Sequence, residues 1–251
     1  MGKMAHNDII FVEYKEKNLK DYTLIEGLPG MGLVGTIAAK YIIEKLKFDE
    51  YGYIESGLFL PVVRIHQGIP VRPARIYISD SRKLVVLISE QIIPKNSTYA
   101  LAKAVTDWIQ KKGITRLVSL SGIHAYDNDP EQPILYGIAA NEKSKETLKK
   151  HGLNAIEDGI TTGVTAIILL NLKKTDINAI SILGNVKIAA DYQAAAEVLR
   201  KLNDVASLDI DVKPLLAEAK QAEHELVENL KKFKATKDST EKFEDKTLMT
   251  A

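Results

Sequence analysis

The chain has 251 residues, of which 45% are hydrophobic and 27% are charged, a composition typical of a folded globular protein. Its 34 basic and 33 acidic side chains leave a formal net charge of +1, so no overall positive field attracts nucleic acid or an anionic membrane. The sequence contains no cysteine, which excludes disulfides, thiolate metal sites and a cysteine nucleophile.

The apolar segments are too short for a membrane span or a secretion signal. The most apolar run, at 164–172, falls well short of the roughly 20 residues that a spanning helix needs. Residues 1–8 are polar and have no signal-type apolar core. We therefore expect a cytoplasmic protein whose partners include neither nucleic acid nor membrane.

The first half of the chain predicts strands with one helix between them. Hydrophobic patterning predicts strands at 9–14, 22–26 and 51–56, and a helix at 34–46. The proline-rich stretch 61–73 is expected to be irregular. The apolar runs 74–79 and 84–89 flank a polar turn and predict a β-hairpin.

The second half of the chain alternates strands and helices more regularly. Ser97 is predicted to cap a helix over 98–112, which Gly113 ends. The remaining predicted strands are 116–121, 134–139, 154–156 and 178–183, and the remaining helices are 142–151, 163–173 and 192–206. This alternation predicts an α/β fold, a three-layer α/β/α sandwich with a mixed, mostly parallel sheet.

The C-terminal region differs in character from the sheet region. Residues 214–233 predict a helix with a narrow apolar stripe at steps of three and four, formed by Leu215, Ala219, Ala222, Leu226, Leu230 and Phe233. This stripe either packs on its own domain or forms an interface with another subunit. We expect one α/β domain over 1–235 that includes this helix, followed by a disordered polar tail at 236–251.

A glycine motif follows the second predicted strand and opens the first helix. Gly30, Gly32 and Gly35 satisfy the dinucleotide-binding pattern G-x-G-x-x-G, and the acidic Glu55 follows about 20 residues later. Taken alone, this spacing predicts NAD binding.

Three features favour a structural role for this motif. Pro29 has no N–H group to offer a pyrophosphate. Glu26, at the end of the strand, would repel the same anion. The chain after 51–56 enters a hairpin in place of a crossover helix, so the nucleotide-binding repeat is incomplete. We therefore interpret the glycines as allowing a tight turn and a close approach of helix to sheet, and we predict no cofactor.

Loops at the carboxyl ends of parallel strands meet at one edge of a sheet, the usual place for a ligand. Besides the three glycines, the candidate ligand residues at this rim are Glu90, Thr161 and Thr162. Backbone N–H groups near the two threonines could hold a phosphate at a helix N-terminus, although threonines there more often cap the helix.

Another rim loop contains Ser121, His124, Asp127 and Asp129. These side chains could form a metal site or a catalytic triad. The loop lacks a fourth ligand and a nucleophile-elbow sequence, and its Asp and Pro content is typical of turns. We predict no metal and no catalytic residues.

The segment EGLPGMGLVG at 26–35 resembles the N-terminal signature of the proteasome assembly chaperone family, of the type named for its second member. The similarity continues in SGI at 121–123, LYG at 135–137, GITTG at 159–163 and DYQAAA at 191–196, and it spans about residues 9–232. The resemblance implies a sandwich similar to the purine nucleoside phosphorylase fold, usually in homo-oligomers. It implies no catalytic residue and no cofactor.

Two positions depart from the family pattern. Family members often have Pro-Asp-Pro around Asp191, where this chain has Ala190-Asp191-Tyr192. Tails that dock on proteasomes typically have a tyrosine as the penultimate residue, and this chain has Thr250 there. Docking through the C-terminal tail is therefore not expected.

The sequence thus predicts a self-assembling interaction protein, an archaeal homologue of the chaperones, with proteasome subunits or other proteins as candidate partners. The alternative is a protein or enzyme that binds a nucleoside or phosphate at the loop rim. No reaction can be assigned from the sequence, and an enzyme is the less favoured interpretation.

Overall fold

A computed structural model of the chain describes residues 9–124 and 135–217. The strands in chain order are β1 (Ile9–Glu13), β2 (Thr23–Gly27), β3 (Asp49–Ser56), β4 (Arg64–His66), β5 (Ile69–Val71), β6 (Ala74–Ser79), β7 (Leu84–Ser89), β8 (Arg116–Ile123), β9 (Leu135–Ala139), β10 (Asn154–Ala155) and β11 (Asn178–Asn185). The helices are α1 (Val34–Lys45), α2 (Thr98–Lys111), α3 (Glu142–Lys150), α4 (Val164–Leu172) and α5 (Tyr192–Ala206). Single 3-10 turns, Met31–Leu33 and Lys95–Ser97, precede α1 and α2.

Nine strands form one mixed sheet in the order β1-β3-β6-β7-β2-β8-β11-β9-β10. The central strands β7, β2, β8 and β11 run parallel to one another. Antiparallel pairs extend the sheet on one side through β6, β3 and β1, and β9 pairs antiparallel to β11 on the other side. The predicted α/β fold with a mixed sheet is confirmed, and its parallel pairing is concentrated at the centre.

Helices cover the sheet because the central strands are apolar on both faces. Leu24 and Leu117 of the sheet belong to the same buried cluster as Val105 of α2 and Ile168 of α4. Helices α1 and α5 contact each other and β8, so the two helix pairs lie on opposite faces. This arrangement places every residue of β2 in the interior, including its one charged residue, Glu26.

Two local predictions were wrong. The stretch 61–73 is not irregular, because β4 and β5 form a separate two-stranded hairpin. Gln67 and Gly68 link its strands with φ of 49° and 78°, the positive values that a type I′ turn requires. Ser97 precedes α2, but its hydroxyl donates to the Pro94 carbonyl and caps no backbone N–H of the helix.

The chain divides into two compact units, residues 1–210 and 211–251. Of the second unit the structure describes only 211–217, in which 213–217 are helical and Leu215 is buried. The other predicted interface residues lie outside the described residues, namely Ala219, Ala222, Leu226, Leu230 and Phe233. The predicted domain boundary at 235 and the predicted tail 236–251 lie outside them as well.

Among residues 9–124 and 135–217, no helix combines the length and the apolar character that crossing a bilayer requires.

Candidate functional site

The glycine turn joins β2 to α1 at the carboxyl edge of the central strands. A Cβ atom on Gly35 would lie 2.1 Å from the Leu120 carbonyl oxygen, and a Cβ atom on Gly27 would lie 2.4 Å from that of Ala39. Real side chains do not tolerate such distances, so these glycines let α1 lie directly against the sheet. Gly32 has φ of +63°, which favours glycine by conformation as well.

The loop between β11 and α5 braces the same turn. The Asp191 backbone N–H donates to the Gly32 carbonyl at 2.8 Å, and Val186 packs against the Cα of Gly32. The buried Asp191 carboxylate accepts from the backbone N–H groups of Lys187 and Ala194, both at 2.9 Å, so it caps α5. The residue that begins the DYQAAA segment is therefore a helix cap.

Glu26 occupies a different place from the one that the sequence predicted. Its carboxyl group is completely buried: Oε1 accepts from the Leu28 N–H and Oε2 accepts from the Thr165 hydroxyl, both at 2.9 Å. Because it points towards the first turn of α4, it does not face an anion at the rim. The argument that Glu26 repels a pyrophosphate was wrong.

The surroundings of Glu26 favour its neutral form. Burial raises the pKa of this carboxyl because desolvation penalises the charge. The neighbouring Ser119 hydroxyl, the Leu28 N–H and the Thr165 hydroxyl offset this effect only in part. Glu26 therefore acts as a hydrogen-bonding link between the glycine turn and α4.

The predicted rim residues Glu90, Thr161 and Thr162 have different surroundings. Glu90 pairs with Arg75 at 2.5 Å and with Arg64 at 3.1 Å, so its charge is already neutralised by two guanidinium groups. Thr161 and Thr162 are exposed, and the residue that caps α4 is Gly163, with no side-chain capping bond. The interpretation of these threonines as side-chain caps was wrong.

Ser121 and His124 lie at the end of β8, and His124 Nδ1 lies 2.8 Å from the Val186 carbonyl oxygen. Within the part of the chain that the structure describes, no three His, Asp or Glu side chains come together as metal ligands. Asp127 and Asp129 lie outside that part.

The rim instead exposes apolar side chains, a feature that was not predicted from the sequence. Five residues in the segments that lead into α1, α2, α4 and α5 are 37% to 95% exposed, namely Met31, Leu33, Ile92, Ile160 and Ile188, and we call them the apolar rim. Leu33 has φ of 50°, a left-handed conformation that is strained for leucine. Leu33 thus keeps a strained backbone conformation while part of its apolar side chain faces solvent.

The β4–β5 hairpin is the second exposed apolar surface. Ile65 and Ile69 are 62% and 64% exposed, although they lie on opposite faces of the two-stranded sheet. Leu60, Val62 and Val63, in the segment leading into the hairpin, are also largely exposed. An isolated two-stranded hairpin is marginal in water, so exposed apolar residues on both of its faces indicate a contact surface.

Comparison with known families identifies the family of this chain. The PAC2 family profile matches residues 24–230, which is most of the sequence and includes the glycine turn, the braced loop and α5. The chain belongs to the PAC2 family. The predicted resemblance is confirmed.

Relatives of the chain include a curated archaeal protein and a solved structure. An uncharacterized protein of Methanocaldococcus jannaschii is 31% identical over 219 residues, which cover 87% of this chain and 89% of the relative. The crystal structure of PbaA from Pyrococcus furiosus, described as an archaeal homolog of proteasome-assembly chaperone, superposes with a TM-score of 0.78 and 28% identity. The match covers 87% of this chain and 94% of PbaA.

The proteasome assembly chaperone 2 of Xenopus tropicalis is 29% identical over 120 residues. That match covers 45% of this chain and 46% of the chaperone.

Proposed function

We propose that the protein is an interaction protein of the proteasome-assembly-chaperone type, which forms a homo-oligomer and assists the assembly of protein complexes. One observation carries this proposal: apolar side chains are exposed at the loop edge and at the hairpin, while the carboxylates Glu26, Glu90 and Asp191 are bonded within the fold. Exposed apolar patches on folded proteins mark protein contacts. Membership of the PAC2 family supports protein partners over substrates.

The hairpin is the surface to which we assign self-association. Its apolar side chains project on both faces, so a neighbouring subunit can bury them from two sides. We expect the purified full chain to form a defined homo-oligomer at micromolar concentration, measured by light scattering. The double variant Ile65→Lys, Ile69→Lys should shift the mass towards the monomer, because buried lysines in an interface cost free energy.

A matched control separates the hairpin from general surface effects. Leu170 of α4 is also largely exposed, so Leu170→Lys makes the same chemical change elsewhere. This variant should keep the wild-type mass. A strictly monomeric wild type, or equal loss of mass in both variants, would contradict the assignment.

The apolar rim is the surface to which we assign the other protein partner. Affinity purification from native extract, read by mass spectrometry, should enrich proteasome α-subunits with the wild type. Met31→Lys with Ile188→Lys should abolish this enrichment while the oligomer mass is unchanged. Enrichment that persists in the double variant would show that the partner binds another surface.

The alternative, a nucleoside or phosphate ligand at the rim, has a direct test. Thermal unfolding is measured with nucleosides, nucleotides and inorganic phosphate at millimolar concentration. Stabilisation that Thr162→Pro removes would favour the alternative, since the loop of Thr161 and Thr162 leads into α4. An unchanged transition with all ligands would favour the interaction protein.

A further inference from the structure

Three polar side chains form a row across the centre of the sheet. Glu26 on β2, Ser119 on β8 and Ser181 on β11 are register partners on adjacent parallel strands. Register partners point to the same face of a sheet. The bond from Thr165 of α4 to Glu26 identifies this face as the one beneath α2 and α4.

The two serines in this row lack hydrogen-bond partners. Ser119 is completely buried and Ser181 is 1% exposed. Neither hydroxyl makes a hydrogen bond of normal geometry among the described residues, although that of Ser119 lies close enough to the Glu26 carboxyl to lower its pKa. Buried hydroxyls in folded proteins are nearly always bonded, and where no protein group serves them, an ordered water does.

The spacing between the strands suits one water molecule. Adjacent strands lie about 4.7 to 4.9 Å apart. Two hydrogen bonds of about 2.8 Å that meet at a tetrahedral water span roughly 4.6 Å. A single water can therefore bond to the hydroxyls of Ser119 and Ser181 at the same time.

We propose that one ordered water molecule bridges the Ser119 and Ser181 hydroxyls, with the Glu26 carboxyl beside it as a third polar partner. Buried waters typically make about three hydrogen bonds, which these three groups supply. The site is buried and is therefore separate from the exposed apolar rim. It makes the polar row continuous from the glycine turn, through Glu26, to β11.

The bridging water also bears on the conformation of the loop that follows β11. Strand β11 leads directly into the loop that braces the glycine turn through Val186 and Asp191, and the Val186 N–H donates to the Ile123 carbonyl at the end of β8. A water held between these two strands fixes the side chains of Ser119 and Ser181, each four residues before the end of its strand. The site therefore supports the conformation of the rim from inside the sheet.

A crystal structure of the full chain, at a resolution that places ordered waters, tests the proposal. We expect a density peak within about 2.8 Å of both serine Oγ atoms. Absence of a peak there, or hydroxyls turned to bond with strand carbonyls, would overturn the proposal.

Solution measurements give an independent test. In the wild type, the backbone amide protons of Ser119 and Ser181 should show nuclear Overhauser contacts to a long-lived water. Ser181→Val places a methyl group at the bridging position and should remove these contacts. Ser79→Ala deletes the hydroxyl of the last residue of β6, which bonds with Ser81 in the following turn, and should leave the contacts unchanged.

If Ser181→Val does not fold, Ser181→Ala takes its place and should weaken the contact at Ser119. A wild-type spectrum with no water contact at either amide refutes the site whatever the variants show.

Discussion

Replacing Glu26 by glutamine should stabilise the protein, and the gain should grow with pH. Glutamine has nearly the same shape, and its amide oxygen can accept from the Leu28 N–H as the carboxyl does. Its amide N–H group can donate to the Thr165 hydroxyl, which accepts as readily as it donates. The substitution therefore removes an ionisable group and keeps the hydrogen bonds.

The size of the effect follows from proton linkage. The unfolded chain ionises Glu26 near its ordinary value of 4.5, whereas burial raises the pKa in the folded state. Between these two pKa values the wild type must take up a proton to fold, which costs about 1.4 kcal/mol per pH unit. The contribution of Glu26 is therefore fully present below pH 4.5 and is lost as pH rises to the folded pKa.

Glutamine has no such cost. The difference in unfolding free energy between Glu26→Gln and the wild type should therefore rise by about 1.4 kcal/mol per pH unit within this window. Above the folded pKa it should become constant, because both states of the wild type are then ionised. The pH at which the difference levels off measures the pKa of the buried carboxyl.

Urea unfolding at a series of pH values measures this difference. The fluorescence of Trp108, the single tryptophan, reports the transition, and linear extrapolation gives the free energy. Glu157→Gln, on an exposed loop, makes the same chemical change as a control and should shift stability little at any pH. A difference for Glu26→Gln that does not change with pH, or that falls as pH rises, would refute the reasoning.

Two further predictions concern the glycine turn and an ion pair at the sheet edge. Gly35→Ala should prevent stable folding, seen by circular dichroism, because its Cβ would meet the Leu120 carbonyl; Gly159→Ala, on an exposed loop, should cost less than about 1 kcal/mol. Lys112→Met should cost about 2 to 3 kcal/mol at neutral pH by thermal unfolding, because it leaves the largely buried Glu13 carboxylate without its cation. Burial alone would raise the pKa of Glu13, but bonds from Lys112 and two neutral donors lower it, so this loss should shrink as pH falls through that lowered pKa. A loss that does not vary with pH would contradict the assigned ion pair.

Much of the fold could be predicted from local patterns. The alternation of strands and helices, the β6–β7 hairpin and the helix boundaries follow from hydrophobic periodicity and from turn residues, which act over a few neighbours. The close approach of α1 to the sheet could also be predicted, because Gly32 and Gly35 are visible as a glycine motif between a predicted strand and a predicted helix. The β4–β5 hairpin was not predicted, because the prolines in 61–73 are typical of an irregular loop. The dipeptide Gln67-Gly68 at its turn was the one local signal for a hairpin.

The sequence by itself determined the fold class, the family and the place of the glycine turn, because each depends on short-range spacing. Only the tertiary structure decided the role of Glu26. Its neighbour Ser119 lies on β8 and its hydrogen-bond partner Thr165 lies on α4, about 90 and 140 residues further along the chain, and no local pattern encodes that proximity. A charged residue at the end of a strand is expected from the sequence to face solvent. Because β2 is a central strand that helices cover on both faces, the Glu26 carboxyl is instead an interior hydrogen-bonding group.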